Sequence, residues 1–169
     1  MHRNAVWFAS LWALGALVHT QPATAATAPA NAAAAPTLTS AQQALLARQN
    51  AEMNQAALKA AQMIDANQIG PLWDGASAVA KKAVSRDAFV EQIVAERARL
   101  GALVGRGGSS VTRVKYGTGA QVPEGLYVNV SFPTRFANVP QPVRELISFR
   151  LDEDNIWRLS GYSLRMPVN

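Results

Sequence analysis

Hydrophobic and polar positions alternate along residues 143–151. Val143, Ile147, Phe149 and Leu151 fall on one side and Arg144, Ser148, Arg150 and Asp152 on the other, with Glu145 and Leu146 interrupting the pattern. A period of two, rich in β-branched and aromatic residues, predicts a half-buried strand. Asp152-Glu153-Asp154-Asn155 supplies a turn, because short carboxylate and amide side chains bond nearby backbone and tolerate unusual dihedrals. Residues 156–164 then predict an antiparallel return. Upstream, residues 110–116 and 125–136 read as two further strands. In the second, Leu126, Val128, Val130 and Phe132 are expected to face the core and Tyr127, Asn129 and Ser131 to face away. Pro133 predicts an edge position or a bulge there, since proline cannot donate to a ladder.

The N-terminal half carries the helical period instead. Thr39 with Gln42, or Ser40 with Gln43, has the spacing of a capping box, and a helix is predicted from there to about residue 66. Its apolar face, Met53, Ala56, Ala57, Ala60 and Ile64, is shallow, which suits close approach to a sheet. The turns before residue 51 are polar enough to project from the domain or fray. Residues 67–70 end this helix, and Pro71 suits the first turn of the next. Residues 85–100 make the best-specified helix: Ser85 is a good N-cap, Asp87 and Glu91 sit near the positive end, and Arg97 and Arg99 near the negative end. Phe89, Val90, Ile93, Val94 and Leu100 form its expected buried stripe, and Gly101 is placed as the left-handed terminator. The Gly-Ser run at 105–110 lacks a Gly-Lys-Ser/Thr ending, follows no strand and opens no helix, so it reads as a flexible lead and not as a phosphate cradle.

Composition narrows the chemistry. The 169 residues suffice for one domain with one core. Residues 1–25 have the pattern of a secretory signal, with a short cationic start, an apolar run too short for a comfortable span and the small-x-small sequence Ala23-Thr24-Ala25. Residues 26–38 form an Ala/Pro-rich flexible linker, and residues 39–169 a single domain. The expected address is the periplasm, with secretion as the alternative and no membrane span in the mature chain. Cysteine is absent, and both histidines, His2 and His19, lie in the segment expected to be removed. The mature chain would therefore lack a thiol nucleophile, the commonest neutral base and the commonest metal ligand, so no metal and no cofactor is expected. Formal charge is +5. The basic residues are scattered, with Lys81-Lys82 the one adjacent pair in the domain, which argues against nucleic acid as a partner.

Several short motifs recur in a defined order: Trp73-Asp74, Leu100-Gly101, Gly125-x-Tyr127-Val128, Thr134-Arg135-Phe136-Ala137-Asn138 and Trp157-Arg158-x-x-Gly161-Tyr162. Together they resemble a bacterial exported family, domain of unknown function 4019, over residues 51–164. The order of three helices and four strands is similar to the cone-shaped nuclear transport factor 2-like and cystatin-like folds. The resemblance implies an α+β fold, with N-terminal helices packed on a curved four-stranded antiparallel sheet. It implies no reaction, since that family has no established activity.

Six residues are candidates for binding a ligand: Trp73, Phe132, Arg135, Trp157, Arg158 and Tyr162. Trp73 reads as a core tryptophan or as the wall of a cavity. Arg135 and Arg158 would make an anion site if they pointed into the interior, or would pair with Glu145 or Asp152 on an outer sheet face. For catalysis the candidates are Asp65, Asp74, Tyr127 and Tyr162, of which Asp65 also reads as a local cap and Asp74 as a cap or the partner of a nearby arginine. No catalytic residue is assigned. Two functions follow from these residues. One is a non-catalytic exported module that binds a protein partner or itself through the open sheet face. The other is a small-molecule carrier, or an enzyme without His or Cys, that uses the interior. A filled interior favours the first and an empty pocket above about 300 Å³ the second.

Overall fold

The computed structural model describes residues 38–166. The expected signal, nearly all of the linker and the last three residues lie outside the described residues. Four helices precede five strands: α1 (Ser40–Asp65), α2 (Ile69–Asp74), α3 (Ala78–Ala83), α4 (Arg86–Leu100), β1 (Leu103–Arg106), β2 (Ser110–Tyr116), β3 (Gly125–Phe136), β4 (Val143–Leu151) and β5 (Trp157–Arg165). The class is α+β, and every strand pair is antiparallel. A fifth strand joins the four expected. β3 is twelve residues long, so one edge of it holds β2 and then β1, while β4 and β5 follow in order on the other side. The stretch read as a flexible lead is therefore partly strand: Arg106 lies opposite Thr134, and Gly107 N–H bonds the Pro133 carbonyl at 2.8 Å.

Local signals account for the boundaries. Thr39 and Gln42 close a reciprocal capping box at the start of α1, and Asn67 takes a left-handed conformation (φ 57°) just past its end. Among residues 40–52 none is buried, as suits a helix whose first turns project beyond the core. Ser85 caps α4 at the Ala88 N–H, and Gly101 ends it at φ 79°. Asn138 completes that terminus, since its N–H bonds the Leu100 carbonyl and its side-chain amide the Arg99 carbonyl. Asn155 supplies the left-handed residue of the β4–β5 turn.

The core lies between the helices and one face of the sheet. Ala57, Ala60, Ala61 and Ile64 of α1 pack on Val128, Val130, Phe132, Ile147, Phe149 and Leu159. Trp73 stacks on Phe89 with ring centroids 4.5 Å apart. Each fully buried aliphatic or aromatic side chain contributes about 1.5–3 kcal/mol. Val94, expected in the buried stripe, is exposed, because it sits about 100° around the helix from buried Ile93. Leu126 is exposed at the open end of β3, whereas Tyr127, expected to face away, is buried on the outer face. Its ring meets Tyr116 edge-on, and its hydroxyl donates to the Pro123 carbonyl.

Glu145 does not interrupt the pattern of β4. It is fully buried on the same face as Val143, Ile147 and Phe149, so the alternation runs unbroken with a carboxylate in a core position. A bulge in β5 sets the next site residue. Ser148 pairs with Gly161 and Phe149 with Leu159, which leaves Ser160 as the extra residue. Leu159 and Tyr162, three apart, consequently both point inward. No described helix is long and apolar enough to cross a membrane.

Candidate functional site

Glu145 is the centre of a buried polar cluster. Its Oε1 accepts from the Tyr162 hydroxyl at 2.8 Å, from Arg106 Nη2 at 3.0 Å and from Arg97 Nη1 at 3.5 Å. Its Oε2 accepts from Arg106 Nε at 2.5 Å and from the Thr134 hydroxyl at 2.8 Å. Arg106 thus grips Glu145 side-on and turns its other edge to Asp65, with Nη1–Oδ2 at 2.6 Å and Nη2–Oδ1 at 2.9 Å. Arg97 also pairs with Asp65 and lies over the Phe136 ring, 4.7 Å from its centroid. Two carboxylates meet two guanidiniums, so the cluster is neutral. Burial pushes the Asp65 carboxyl up, but the bonds and charges of Arg106 and Arg97 outweigh it and hold the group below the usual carboxylate range. Burial, reinforced by the Glu145 charge, pushes the Tyr162 phenol far above its ordinary value, so it stays a neutral donor.

A second cluster closes the other end of the sheet. Asp152 accepts from Ser77 Oγ at 2.6 Å, Arg150 Nη1 at 3.0 Å and Arg158 Nη1 at 3.2 Å. Burial raises its carboxyl, but these three donors hold it below the usual range. Arg150 continues to Glu153 and the Glu124 carbonyl, and Arg158 to Asp154. The Ser77 N–H bonds the Leu159 carbonyl, which ties the α2–α3 connection to β5. Gly125 (φ 151°) lies so close to Arg150 that a Cβ there would come within 2.9 Å of Nε.

The six ligand candidates do not line one cavity. Trp73 and Phe132 are core residues, and Tyr162 belongs to the Glu145 cluster. Trp157 is half-buried at the start of β5. Arg158 is held by Asp152 and Asp154, and Arg135 is exposed on the sheet face away from the helices, so neither points into the interior. Among the catalytic candidates, Asp74 pairs with Arg86 at the surface and Tyr127 bonds backbone. Asp65 and Tyr162 are brought into one cluster through Glu145 and Arg97, but every oxygen there is already engaged. Among the described residues no group of three His, Cys, Asp or Glu could hold a metal. Arg97, Arg106, Thr134 and Glu145 were not candidates in the sequence. The one available signal was the acidic residue at an apolar strand position.

Open space is found at the surface instead. Clefts of about 540, 420 and 310 Å³ open there, and none is lined by Asp65, Glu145 or Tyr162. The largest lies on the outer face at the β1 end of β3, between Ser110, Ser131, Pro133, Pro142, Arg144 and Arg165. Arg144 and Arg165 are directly opposite each other on β4 and β5. Neither they nor Arg135 makes an ion pair with any described residue.

The model of a family described as a protein of unknown function, DUF4019, matches residues 56–162. The chain belongs to that family. No curated protein and no solved structure matches it.

Proposed function

We propose that this member of the DUF4019 family is an exported, non-catalytic binding module that takes an anionic partner on the outer face of its sheet. The single observation that carries the reading is the contrast between the two faces of β4. The inner face is filled by the core and by a neutral, fully bonded cluster, and the groove of about 270 Å³ beside it brings together two of the six ligand candidates, Trp157 and Arg158. The outer face exposes Arg135, Arg144 and Arg165 without acidic partners among the described residues, which gives that end of the sheet a positive field. The absence of Cys and His from residues 20–169 agrees with binding rather than catalysis. The signal-like pattern of residues 1–25 supports export.

Native and denatured mass of the chain purified from the exported fraction tests both halves of this reading. The expected wild-type species begins after about residue 25 and carries a bound acidic component. A variant with Arg135, Arg144 and Arg165 all changed to Glu should lose that component and keep its melting temperature. A bare wild-type chain, or a component retained by the triple variant, overturns the binding assignment. A chain that still begins at Met1 overturns export.

A further inference from the structure

From the geometry of the outer cleft we infer that Arg144 and Arg165 form a receptor for a small phosphate monoester, with the phosphate between the two guanidiniums and its organic body against the proline wall. This rests on the reading of the outer face given above and names the chemistry of its ligand. The starting point is an unfavourable arrangement. Like charges placed directly opposite in adjacent strands repel, and Arg144 and Arg165 occupy such a pair with no described acid within ion-pair distance of either. Of the other strand arginines, Arg106 pairs with Asp65 and Glu145, Arg150 and Arg158 pair with Asp152, and Arg113 donates to the Asn50 side-chain oxygen, while Arg135 is exposed and makes no ion pair with a described residue. An anion from outside would supply the missing partner.

Charge and shape narrow the class. A phosphate monoester carries a charge of about −1.5 to −2 at neutral pH, enough to neutralise both guanidiniums, and its oxygens accept bidentately from arginine. A monocarboxylate would leave one charge unopposed. The cleft volume of about 540 Å³ is sufficient for a small organic molecule. Its floor and sides are divided by character. Pro133 and Pro142 offer rigid apolar surface next to Arg144, with Pro133 the cross-strand neighbour of Arg144 on β3. Ser110 and Ser131 face each other at 2.8 Å, so one hydroxyl donates to the other and the second hydrogen is free to reach a ligand oxygen. The arrangement has a cationic end, a polar side and an apolar wall.

Titration calorimetry of the full chain with phenyl phosphate, and separately with inorganic phosphate, tests it. Phenyl phosphate should saturate one site per chain, more tightly than inorganic phosphate, because only the ester reaches the proline wall. Arg144→Gln and Arg165→Gln should each weaken binding by about tenfold or more, the loss of one charge-assisted contact. Lys115→Gln, an exposed charge on β2 outside the cleft, should change it by less than about twofold. Three results overturn the inference: no saturable binding, equal affinity for inorganic phosphate and phenyl phosphate, or an equal loss in Lys115→Gln, which would mean general surface charge. If phenyl phosphate fails while the triple glutamate variant still sheds its acidic component, only the ligand class falls and the outer-face reading stands.

Discussion

Arg144 and Glu145 are neighbours on β4 and face opposite ways, and their surroundings differ in almost every respect. Glu145 points inward, is completely buried and accepts from four side chains. Arg144 points outward, is exposed and lies opposite a second arginine with no described acid paired to either. Around Glu145, charge is balanced between two carboxylates and two guanidiniums. Around Arg144 it is not balanced at all. A buried carboxylate is tolerable only when its lone pairs are filled, so the inner cluster reads as a lock between α1, α4, β1, β3, β4 and β5. An unbalanced exposed pair costs the fold a little, because the two charges repel. Function is therefore expected at the group whose charge no described residue answers.

Breaking the inner member of the comparison should have the largest effect. Glu145→Gln keeps the shape but removes the charge, which leaves Arg97 and Arg106 with Asp65 alone. Removing one partner of a buried ion pair costs about 3–5 kcal/mol. In a domain of this size that lowers the thermal midpoint by about 10–20 °C. A scanning calorimetry shift below a few degrees would mean that the cluster is not a lock.

How far could this comparison be read from the sequence? The α+β class, the limits of β2 and β3, the caps at Thr39 and Ser85 and the stop at Gly101 were all legible, because each depends on residues close together in the chain. The cluster was not. Its members come from the end of α1, the last turn of α4, β1, β3, β4 and β5, and only the register brings them together. In the sequence Glu145 reads as an interruption of an apolar pattern, whereas it is a core position with a different side chain. β1 is hidden in the sequence because Gly105, Gly107 and Gly108 flank Arg106 and imitate a loop. Tyr127 lies on the outer face as its place in the alternation predicts but is buried there, and Val94 is exposed, for a related reason: periodicity gives two faces, and the tertiary neighbours decide how far each is covered. The Arg144–Arg165 pair was likewise invisible until the bulge at Ser160 fixed which residues of β5 face outward.

Tyr162→Phe should come next in size. It removes one donor from the buried Glu145 carboxylate and leaves the ring packing intact. A hydrogen bond to a charged group contributes about 1.5–3 kcal/mol. Urea denaturation should show that loss with an unchanged slope, and a variant as stable as the wild type would place the Tyr162 hydroxyl outside the lock.

Asp65→Asn sharpens the comparison through pH. The folded state holds the Asp65 carboxyl below its unfolded value, despite the opposing effect of burial. Such a group stabilises the fold above its unfolded pKa, about 4, and the contribution disappears as pH falls through the lower folded value. The wild type should therefore exceed Asp65→Asn by about 1 kcal/mol at neutral pH, and the two curves should converge toward pH 2. A gap that stays constant or widens in acid would show that Asp65 is not held ionised by its arginines.

The smallest expected effect has the opposite sign, and it is the sharpest test of the outer member. If Arg144 faces Arg165 with nothing between them, Arg144→Gln removes a repulsion and breaks no pair. Like charges directly across a strand pair cost about 0.2–1 kcal/mol, so the variant should gain that much stability. The gain should shrink as salt is added, since the Debye length falls to about 3 Å at 1 M and both groups are solvent-exposed. The same variant should lose phosphate-ester binding. A fold that becomes slightly more stable while a ligand is lost is the expected signature of a residue retained for binding, and Glu145→Gln cannot produce it. Were Arg144→Gln to destabilise the protein independently of salt, Arg144 would have an internal partner after all, and the two faces of β4 would no longer differ in kind.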